Sequence, residues 1–195
     1  GAETNLDQRD ISTNQTIIDA EDNHQCVTNY GLLDGFYITG GNSQEDGGGI
    51  LNEHGTVTNC TVYANQATRH GGGIRSAAGE VTHCEIYNNS ASSSFCAGGG
   101  INSNDGVVSH CRIYNNTITA NECKGGGVSN VGSLVENCVI YGNSASALDY
   151  NKCRGGGVYN DVGELINCTV YDNVASGPGD PMGGGIYNTS GGNVV

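Results

Sequence analysis

The chain has 195 residues, of which 33 are glycine and only two are proline, and this balance excludes collagen-like and proline-rich disordered chains. Its formal net charge is −13 with seven lysine and arginine residues, so we expect no nucleic-acid partner. No apolar stretch reaches the ~18 residues that a membrane-spanning helix needs, so we expect no membrane insertion by this chain.

The N-terminal region precedes the regular part of the sequence. Residues 1–15 are polar and irregular, and we predict that they form an arm or a partial cap. A first strand is predicted at Thr16-Ile17-Ile18-Asp19. Further on, Cys26, Leu33, Phe36 and Ile38 are assigned to inward positions by comparison with the repeats that follow, with Cys26 in the place of the aliphatic residue that follows each later glycine triplet.

A repeat with two markers fills the rest of the chain. The first marker is Gly-Gly-Gly followed by Ile or Val, and the second is a cysteine 13 residues after the first glycine in five repeats. The triplets begin at Gly47, Gly71, Gly98, Gly125, Gly155 and Gly183, and the cysteines are Cys60, Cys84, Cys111, Cys138 and Cys168. All variation in repeat length lies between a cysteine and the next triplet. A fixed segment with one variable loop is typical of a solenoid.

The fixed segment carries the alternation of a β-strand. In Cys60-Thr61-Val62-Tyr63 the first and third residues are predicted to face inward, and the corresponding segments of the other repeats behave alike. Glycine-rich turns this frequent would break helices. We therefore predict an all-β chain, a right-handed parallel β-helix with about six coils of 24–30 residues, over residues 16–195.

Identical residues of successive coils should stack at the ~4.8 Å spacing of parallel strands. One such column is an asparagine ladder at Asn65, Asn89, Asn116, Asn143 and Asn173. A second column faces outward and consists of Tyr63, Tyr87, Tyr114, Tyr141 and Tyr171. The tyrosines are interpreted either as a stabilising ladder or as a binding face for sugar rings or another subunit.

Cysteines fall into two groups. Cys26 and the five repeat cysteines are predicted to be reduced and to pack in the core as small apolar residues. Cys96, Cys123 and Cys153 each lie two residues before a triplet, in register on neighbouring coils. We expect one disulfide bridge between neighbours among these three.

The repeats resemble those of known secreted proteins. Gly-Gly-Gly-Ile followed by an aliphatic-x-x-Asn motif, as in Val62 to Asn65, resembles the repeats of polymorphic outer membrane proteins, although Val or Ile replaces their Phe. The segment from Asp34 to Asn42 resembles the opening repeat of bacterial pectate-lyase-like β-helix proteins. The resemblance implies an extracellular or cell-surface protein, often a passenger or adhesin.

The catalytic residues of this fold class are hard to find in the sequence. Hydrolysis needs two facing carboxylates, and no column supplies them. The best charged cluster lies in neighbouring loops and consists of Glu122, Lys124, Asp149, Lys152 and Arg154. Such alternating charges are more often solvated ion pairs than a catalytic site.

Cofactor and metal sites are not indicated by any motif. The residue types allow a calcium ion at Asp/Asn loops, for example near Asp19, Glu21 and Asp22, without a recognisable calcium-loop spacing. They also allow zinc at the loop cysteines, although no histidine has a fixed position near them. We expect no other cofactor.

The predicted function is a noncatalytic extracellular or cell-surface scaffold, adhesive or self-assembling, that binds a carbohydrate or a host-surface ligand. The alternative is a polysaccharide-active lyase or hydrolase, or a carbohydrate-binding module. The last coil, with Ile186 and Val194, has the apolar pattern of an internal coil. We therefore expect the chain either to continue past it or to pair there with a second copy, as a homo-oligomer or filament.

Overall fold

A computed structural model describes residues 13–150 and 152–195 and shows a parallel β-solenoid of about six turns. The predicted all-β class is confirmed, and the described residues contain strands and turns but no helix. No helix that could cross a membrane is therefore found among them. Of the predicted N-terminal arm, residues 1–12 lie outside the described part.

Each coil has four sides, so the strands form four parallel sheets. The triplet sheet, which follows the glycine triplets, contains Val27–Asn29, Ile50–Glu53, Ile74–Ala77, Ile101–Asn104, Val128–Val131, Val158–Asp161 and Ile186–Asn188. The valine sheet contains Leu32–Asp34, Thr56–Thr58, Glu80–Thr82, Val107–Ser109, Leu134–Glu136, Glu164–Ile166 and Asn193–Val194.

The other two sheets complete the coil. The tyrosine sheet contains Thr16–Asp19, Phe36–Thr39, Thr61–Tyr63, Glu85–Tyr87, Arg112–Tyr114, Val139–Tyr141 and Thr169–Tyr171. The loop sheet contains Asn42–Ser43, Gln66–Ala67, Ser90–Ala97, Thr117–Lys124, Ser144–Ala147 and Val174–Ser176, with Cys153–Arg154 paired to Thr117–Lys124. Parts of the segments that vary in length between repeats therefore also form β-strands.

The coils stack without any shift of register. Ile50, Ile74, Ile101, Val128 and Val158 are consecutive partners, and all five side chains are fully buried. The valine sheet and the tyrosine sheet add equally buried columns to the same core. Alternation in the sequence therefore identifies the inward residues of the repeats correctly.

The first coil corrects one assignment. Val27, not Cys26, is the register partner of Ile50. The N–H of Cys26 instead donates to Gly48 and that of Val27 to Gly49, so Cys26 lies at the level of the triplet. Leu33 pairs with Val57, and Ile38 pairs with Val62, as predicted.

The corners of the coil use the left-handed region of backbone space. The residue before each core cysteine has a φ between 50° and 53°, and these residues are Asn59, His83, His110, Asn137 and Asn167. Asparagine and histidine are enriched in this region because their short polar side chains tolerate it. The Asn/His column of the sequence is thus a consequence of corner geometry.

Each glycine of a triplet meets a different requirement. In the second repeat, Gly71 has a φ of 63°. A Cβ on Gly72 would overlap the carbonyl oxygens of Ser90 and Gly99, and a Cβ on Gly73 would meet the carbonyl of Gly100 at 2.8 Å. Only glycine allows the backbones of adjacent coils to approach this closely.

The asparagine ladder is continuous and buried. Asn116 donates from Nδ2 to the Ile86 carbonyl at 2.9 Å and to Asn143 Oδ1 at 3.0 Å. Its own Oδ1 accepts the backbone N–H and the Nδ2 of Asn89, each at 3.0 Å. Each amide therefore satisfies one corner and joins the coils before and after it.

A second polar ladder lies inside the triplet sheet, and the sequence analysis did not identify it. Its members are Asn29, Asn52, Ser76, Ser103, Asn130, Asn160 and Asn188. Asn130 donates to Asn160 at 2.7 Å, and Asn160 donates to Asn188 at 2.7 Å. The repeated Asn or Ser two residues after the aliphatic residue was the available signal.

We predict that Asn116→Ala lowers the free energy of unfolding by about 3 kcal/mol, because it leaves the Asn89 N–H and the Ile86 carbonyl buried without that partner. Chemical denaturation measures the change. The same substitution at Asn173, which is only partly buried, should cost less because water replaces the lost partners. Equal losses at the two positions would contradict the ladder as the cause.

We also predict that Val162→Asn raises the free energy of unfolding by about 1 kcal/mol, because a β-branched residue is strained in the left-handed region. Val162 has a φ of 52° and is 62% exposed, so little packing is lost. Val139→Asn is the matched control, since Val139 lies in a strand and the change should destabilise there. Thermal denaturation of both variants provides the comparison.

Candidate functional site

The tyrosine column forms a ladder of stacked rings. Neighbouring ring centroids lie 5.0–5.4 Å apart along Tyr63, Tyr87, Tyr114, Tyr141 and Tyr171, and the interplanar angles are 2–11°. Each inner ring therefore has another tyrosine on both faces. Sugar rings bind aromatic side chains through the ring face, so the inner tyrosines offer a ligand only edges and hydroxyl groups. The geometry favours the stabilising ladder over the flat binding platform.

A cation reinforces this ladder. The Arg112 guanidinium lies 5.6 Å from the Tyr114 ring centroid, forms an ion pair with Glu85 at 2.6 Å and donates to the Tyr141 hydroxyl at 3.3 Å. Because Arg112 and Glu85 are register partners, this contact bridges two coils.

The three loop cysteines correct the predicted disulfide. Cys96, Cys123 and Cys153 are consecutive register partners as expected, but all three are free thiols and fully buried. Residues directly opposed in parallel strands have Cβ atoms at about the strand spacing of ~4.8 Å, whereas a disulfide needs ~3.5–4.5 Å. Perfect register therefore stacks these thiols without joining them.

These cysteines belong to a second core that the sequence analysis missed. Its buried members are Ala91, Cys96, Ile118, Ala120, Cys123, Ala145, Ala147 and Cys153. Burial raises the pKa of the Cys96 thiol, which stays protonated at neutral pH. The alternation in Thr117-Ile118-Thr119-Ala120 was the signal for a strand here.

The core cysteines have a polar contact as well as packing. Each of the five thiols lies 3.1–3.3 Å from the carbonyl of the residue two positions earlier, and for Cys111 the acceptor is Ser109. The left-handed corner between the two residues turns that carbonyl toward the sulfur. Burial raises the pKa of Cys26 to about 11, so this partly buried thiol is protonated too.

Three of the five charged candidates come together. Glu122 Oε1 lies 3.1 Å from Arg154 Nη1 and 4.0 Å from Lys124 Nζ. Asp149 and Lys152 belong to the projecting segment of the next coil and do not line the adjoining groove. Since Glu122 holds Arg154, the cluster is an ion-pair network in which Lys124 is bound most loosely.

A groove of about 360 Å³ lies beside this network. Its floor is the outer face of the triplet sheet, with Arg75, Asn102, Asn104, Ser129, Val131, Tyr159 and Asp161. Its wall is the chain just before each triplet, with Asp46, Arg69, His70, Phe95, Ala97 and Lys124. These residues come from five successive coils, so the groove runs ~19 Å along the solenoid axis.

Comparison with known protein families, curated proteins and solved structures gives no significant match.

Most of the chain's basic residues lie in or beside this groove. Three of the chain's seven basic residues, Arg69, Arg75 and Lys124, line it, and a fourth, Arg154, is the register partner of Lys124. The Lys124 ammonium is 5.1 Å from the ring centroids of both Phe95 and Tyr159. The two rings hold the ammonium in place while leaving its donors available to a ligand.

The groove also gathers unsatisfied polar atoms. Among the described residues, four buried side-chain atoms lack a hydrogen-bond partner, and they are His70 Nδ1, Asn104 Oδ1, Ser129 Oγ and Arg154 Nε. The first three line the groove, and the fourth belongs to the neighbour of Lys124. Ser129 is only 1% exposed. Because buried polar atoms are normally paired, their collection around one groove makes this groove the candidate binding site.

Carboxylates in the groove are too far apart for paired acid–base chemistry. The two that line it, Asp46 and Asp161, are four coils apart, or ~19 Å, whereas glycoside hydrolysis uses carboxylates ~5–10 Å apart. Asp161 accepts hydrogen bonds from the hydroxyls of Tyr159 and Thr189. Burial, followed by the negative charge of Asp161 and its hydrogen bond with the Tyr159 hydroxyl, raises the pKa of Tyr159 to about 12.

The predicted calcium site gains no additional ligand. Asp19 Oδ1 accepts the N–H of Glu21 at 2.9 Å, so it stabilises its own turn. Within the part of the chain that the structure describes, no group of three or more His, Cys, Asp or Glu side chains converges on a metal position. Calcium binding near Asp19, Glu21 and Asp22 stays a prediction.

We predict that the nine cysteines are all free thiols, because the buried columns keep them reduced and unlinked. In the native protein, only the partly buried Cys26 and Cys168 should react with iodoacetamide. All nine should react in denaturant without a reductant, as counted by mass spectrometry. Seven labelled thiols under those denaturing conditions would instead show a disulfide bridge.

Proposed function

We propose that this chain is a noncatalytic, extracellular or cell-surface scaffold of the β-helix repeat class that binds a carbohydrate ligand in the groove of the triplet sheet, in an adhesive role. One observation carries the proposal. The four buried polar atoms without a partner among the described residues lie in this groove or next to it, together with most of the chain's basic residues. A concave surface with charged side chains of both signs and hydrogen-bonding groups that lack a partner is suited to bind a polar ligand.

The framework around the groove supports a rigid scaffold. The asparagine ladder and the tyrosine ladder each join five successive coils, from Asn65 to Asn173 and from Tyr63 to Tyr171. The second polar ladder joins neighbouring coils towards each end of the solenoid, as between Asn130 and Asn160. A groove built from strands of such a framework keeps its shape, so a ligand need not order it. This preorganisation favours an adhesive role.

Two features of the sequence support a location outside the cell. The Gly-Gly-Gly-Ile and aliphatic-x-x-Asn motifs resemble the repeats of polymorphic outer membrane proteins, and residues 34–42 resemble the opening repeat of secreted pectate-lyase-like proteins. The net charge of −13 is compatible with a soluble surface exposed to the medium.

The polysaccharide-active alternative rests on Lys124 and Arg154. Arg154 is held by Glu122, and the carboxylates that line the groove are widely separated, so binding without turnover is the better-supported function. Self-association through the coil ends stays a separate prediction.

A glycan array tests the proposal. We expect the wild-type protein to bind at least one class of glycan, and Lys124→Met to lose that binding, because it removes the ammonium that the two rings hold in the groove. Arg112→Met removes the same charge on the tyrosine sheet and should bind like the wild type.

Chromatography of each bound glycan after incubation should show no shorter products. Absence of binding to every glycan would contradict the proposed function. Cleavage that is lost in Lys124→Met would show that the alternative, an enzyme, is correct.

A further inference from the structure

Two histidines occupy neighbouring positions on one corner of the solenoid, and neither lines the groove. We propose that His83 and His110 together bind one divalent transition-metal ion of the Ni²⁺, Cu²⁺ or Zn²⁺ type through the Nε2 atom of each ring. This inference goes beyond the proposed function and does not depend on it.

The two side chains meet on the outer surface. They follow the register partners Thr82 and Ser109, at the corner that joins the valine sheet to the tyrosine sheet. Both histidines are exposed, both have a φ of 53°, and their ring centroids lie 4.8 Å apart with an interplanar angle of 2°. The common register of the coils therefore places two metal-ligating side chains next to each other.

Hydrogen bonds orient the first of these rings. His83 Nδ1 lies 2.8 Å from Thr82 Oγ1, which also accepts a hydrogen bond from Ser109 Oγ at 2.9 Å. A hydroxyl oxygen has two acceptor lone pairs, so Thr82 can accept the Nδ1 proton as well. Metal-bound histidines usually donate their other ring N–H to such a partner. The lone pair of Nε2 is then available to an ion, and among the described residues Nε2 has no hydrogen-bond partner.

The corner by itself does not require histidine. Asn59, Asn137 and Asn167 occupy the same position on other coils, with φ values of 50–53°. Since asparagine meets the backbone requirement equally well, the two imidazoles add a chemical capacity that the fold does not use. They also lie on adjacent coils, and only adjacent members of a column, ~4.8 Å apart, are close enough to share an ion.

A shared ion requires the ring nitrogens to approach each other. Metal–nitrogen bonds of ~2.0–2.1 Å at ordinary bond angles place two ligating nitrogens ~3 Å apart. The tips of the two rings must therefore move together by ~2 Å from their stacked spacing. Exposed imidazoles make such a movement by side-chain rotation, so the backbone register of the coils is kept.

The ligand atoms select the class of ion. Imidazole nitrogen suits nickel, copper and zinc, whereas calcium and magnesium prefer oxygen. Among the described residues, no third His, Cys, Asp or Glu side chain joins the pair, so water completes the coordination shell and the ion can exchange. The net charge of −13 also favours a cation at this surface.

Isothermal titration calorimetry of the full chain with Ni²⁺ tests the inference. This ion is chosen because, unlike Cu²⁺, it does not oxidise thiols. We expect one bound ion per chain and no comparable binding of Ca²⁺. His83→Asn and His110→Asn should each weaken Ni²⁺ binding about tenfold or more, because one imidazole remains. Without metal, both variants should unfold at the wild-type temperature, since asparagine is the native residue of this corner on other coils.

His54→Asn is the matched control. His54 is also exposed on a left-handed corner, with a φ of 63°, but the next coil has Ala78 at that position. This variant should bind Ni²⁺ like the wild type. Adding Asn59→His to His110→Asn places an imidazole on the other side of His83 and should restore binding. That rescue depends on adjacency, which a merely structural role of His110 would not explain.

Nitrogen-15 NMR with Zn²⁺ identifies the ligating atoms, and we expect the Nε2 signals of His83 and His110 to shift. Absence of Ni²⁺ binding would overturn the inference. Equal weakening by His54→Asn, or binding that persists when His83 and His110 are both replaced, would overturn it too, because the ion would then lie on other groups. Glycan binding should be unchanged in these variants, so failure of this inference leaves the proposed function intact.

Discussion

The whole structure depends on side chains of one coil that hydrogen-bond to the next coil at the same position. An asparagine such as Asn116 bonds the corner before it and the amide after it, so a shift of a single residue would break several buried hydrogen bonds at once. Small inward residues fill the space between the four sheets, and the same slip would turn them out of the core. The polar ladders fix the register, and the left-handed corners and glycine triplets make the approach of the coils sterically feasible.

The same register has different effects on different side chains. It stacks the tyrosines at 5.0–5.4 Å, which suits aromatic rings, and it stacks the cysteines at a strand spacing that is too wide for disulfide bonds. The faces of the inner tyrosine rings are covered by neighbouring rings, so the tyrosine ladder offers a ligand little ring surface to stack on. The site that the structure supports is instead one where the repeat is broken.

That break arises from the variable segments. Two coils extend the loop sheet from two residues in Gln66–Ala67 to eight in Ser90–Ala97 and Thr117–Lys124. The extension forms its own small core of alanine, isoleucine and cysteine, and it raises a wall beside the triplet sheet. Phe95 and Lys124 are placed on the groove by this wall, and the regular floor supplies Asn104 and Ser129.

The sequence by itself determined the strands, the inward faces and the asparagine ladder, because these are repeated at constant spacing and each repeat confirms the next. It also contained the corner residues, since Asn59, His83 and their equivalents are the types that tolerate a positive φ. The first coil was misread by one residue, because Cys26 has no preceding triplet to mark the level of Val27. The groove was decided only by the tertiary structure: its residues occupy several different positions of the repeat, on five coils from Asp46 to Asp161, and no column of the sequence contains them. They become neighbours because coils of unequal length stack in the same register. The additional residues of the longer coils therefore project outward, where they form the wall of the groove.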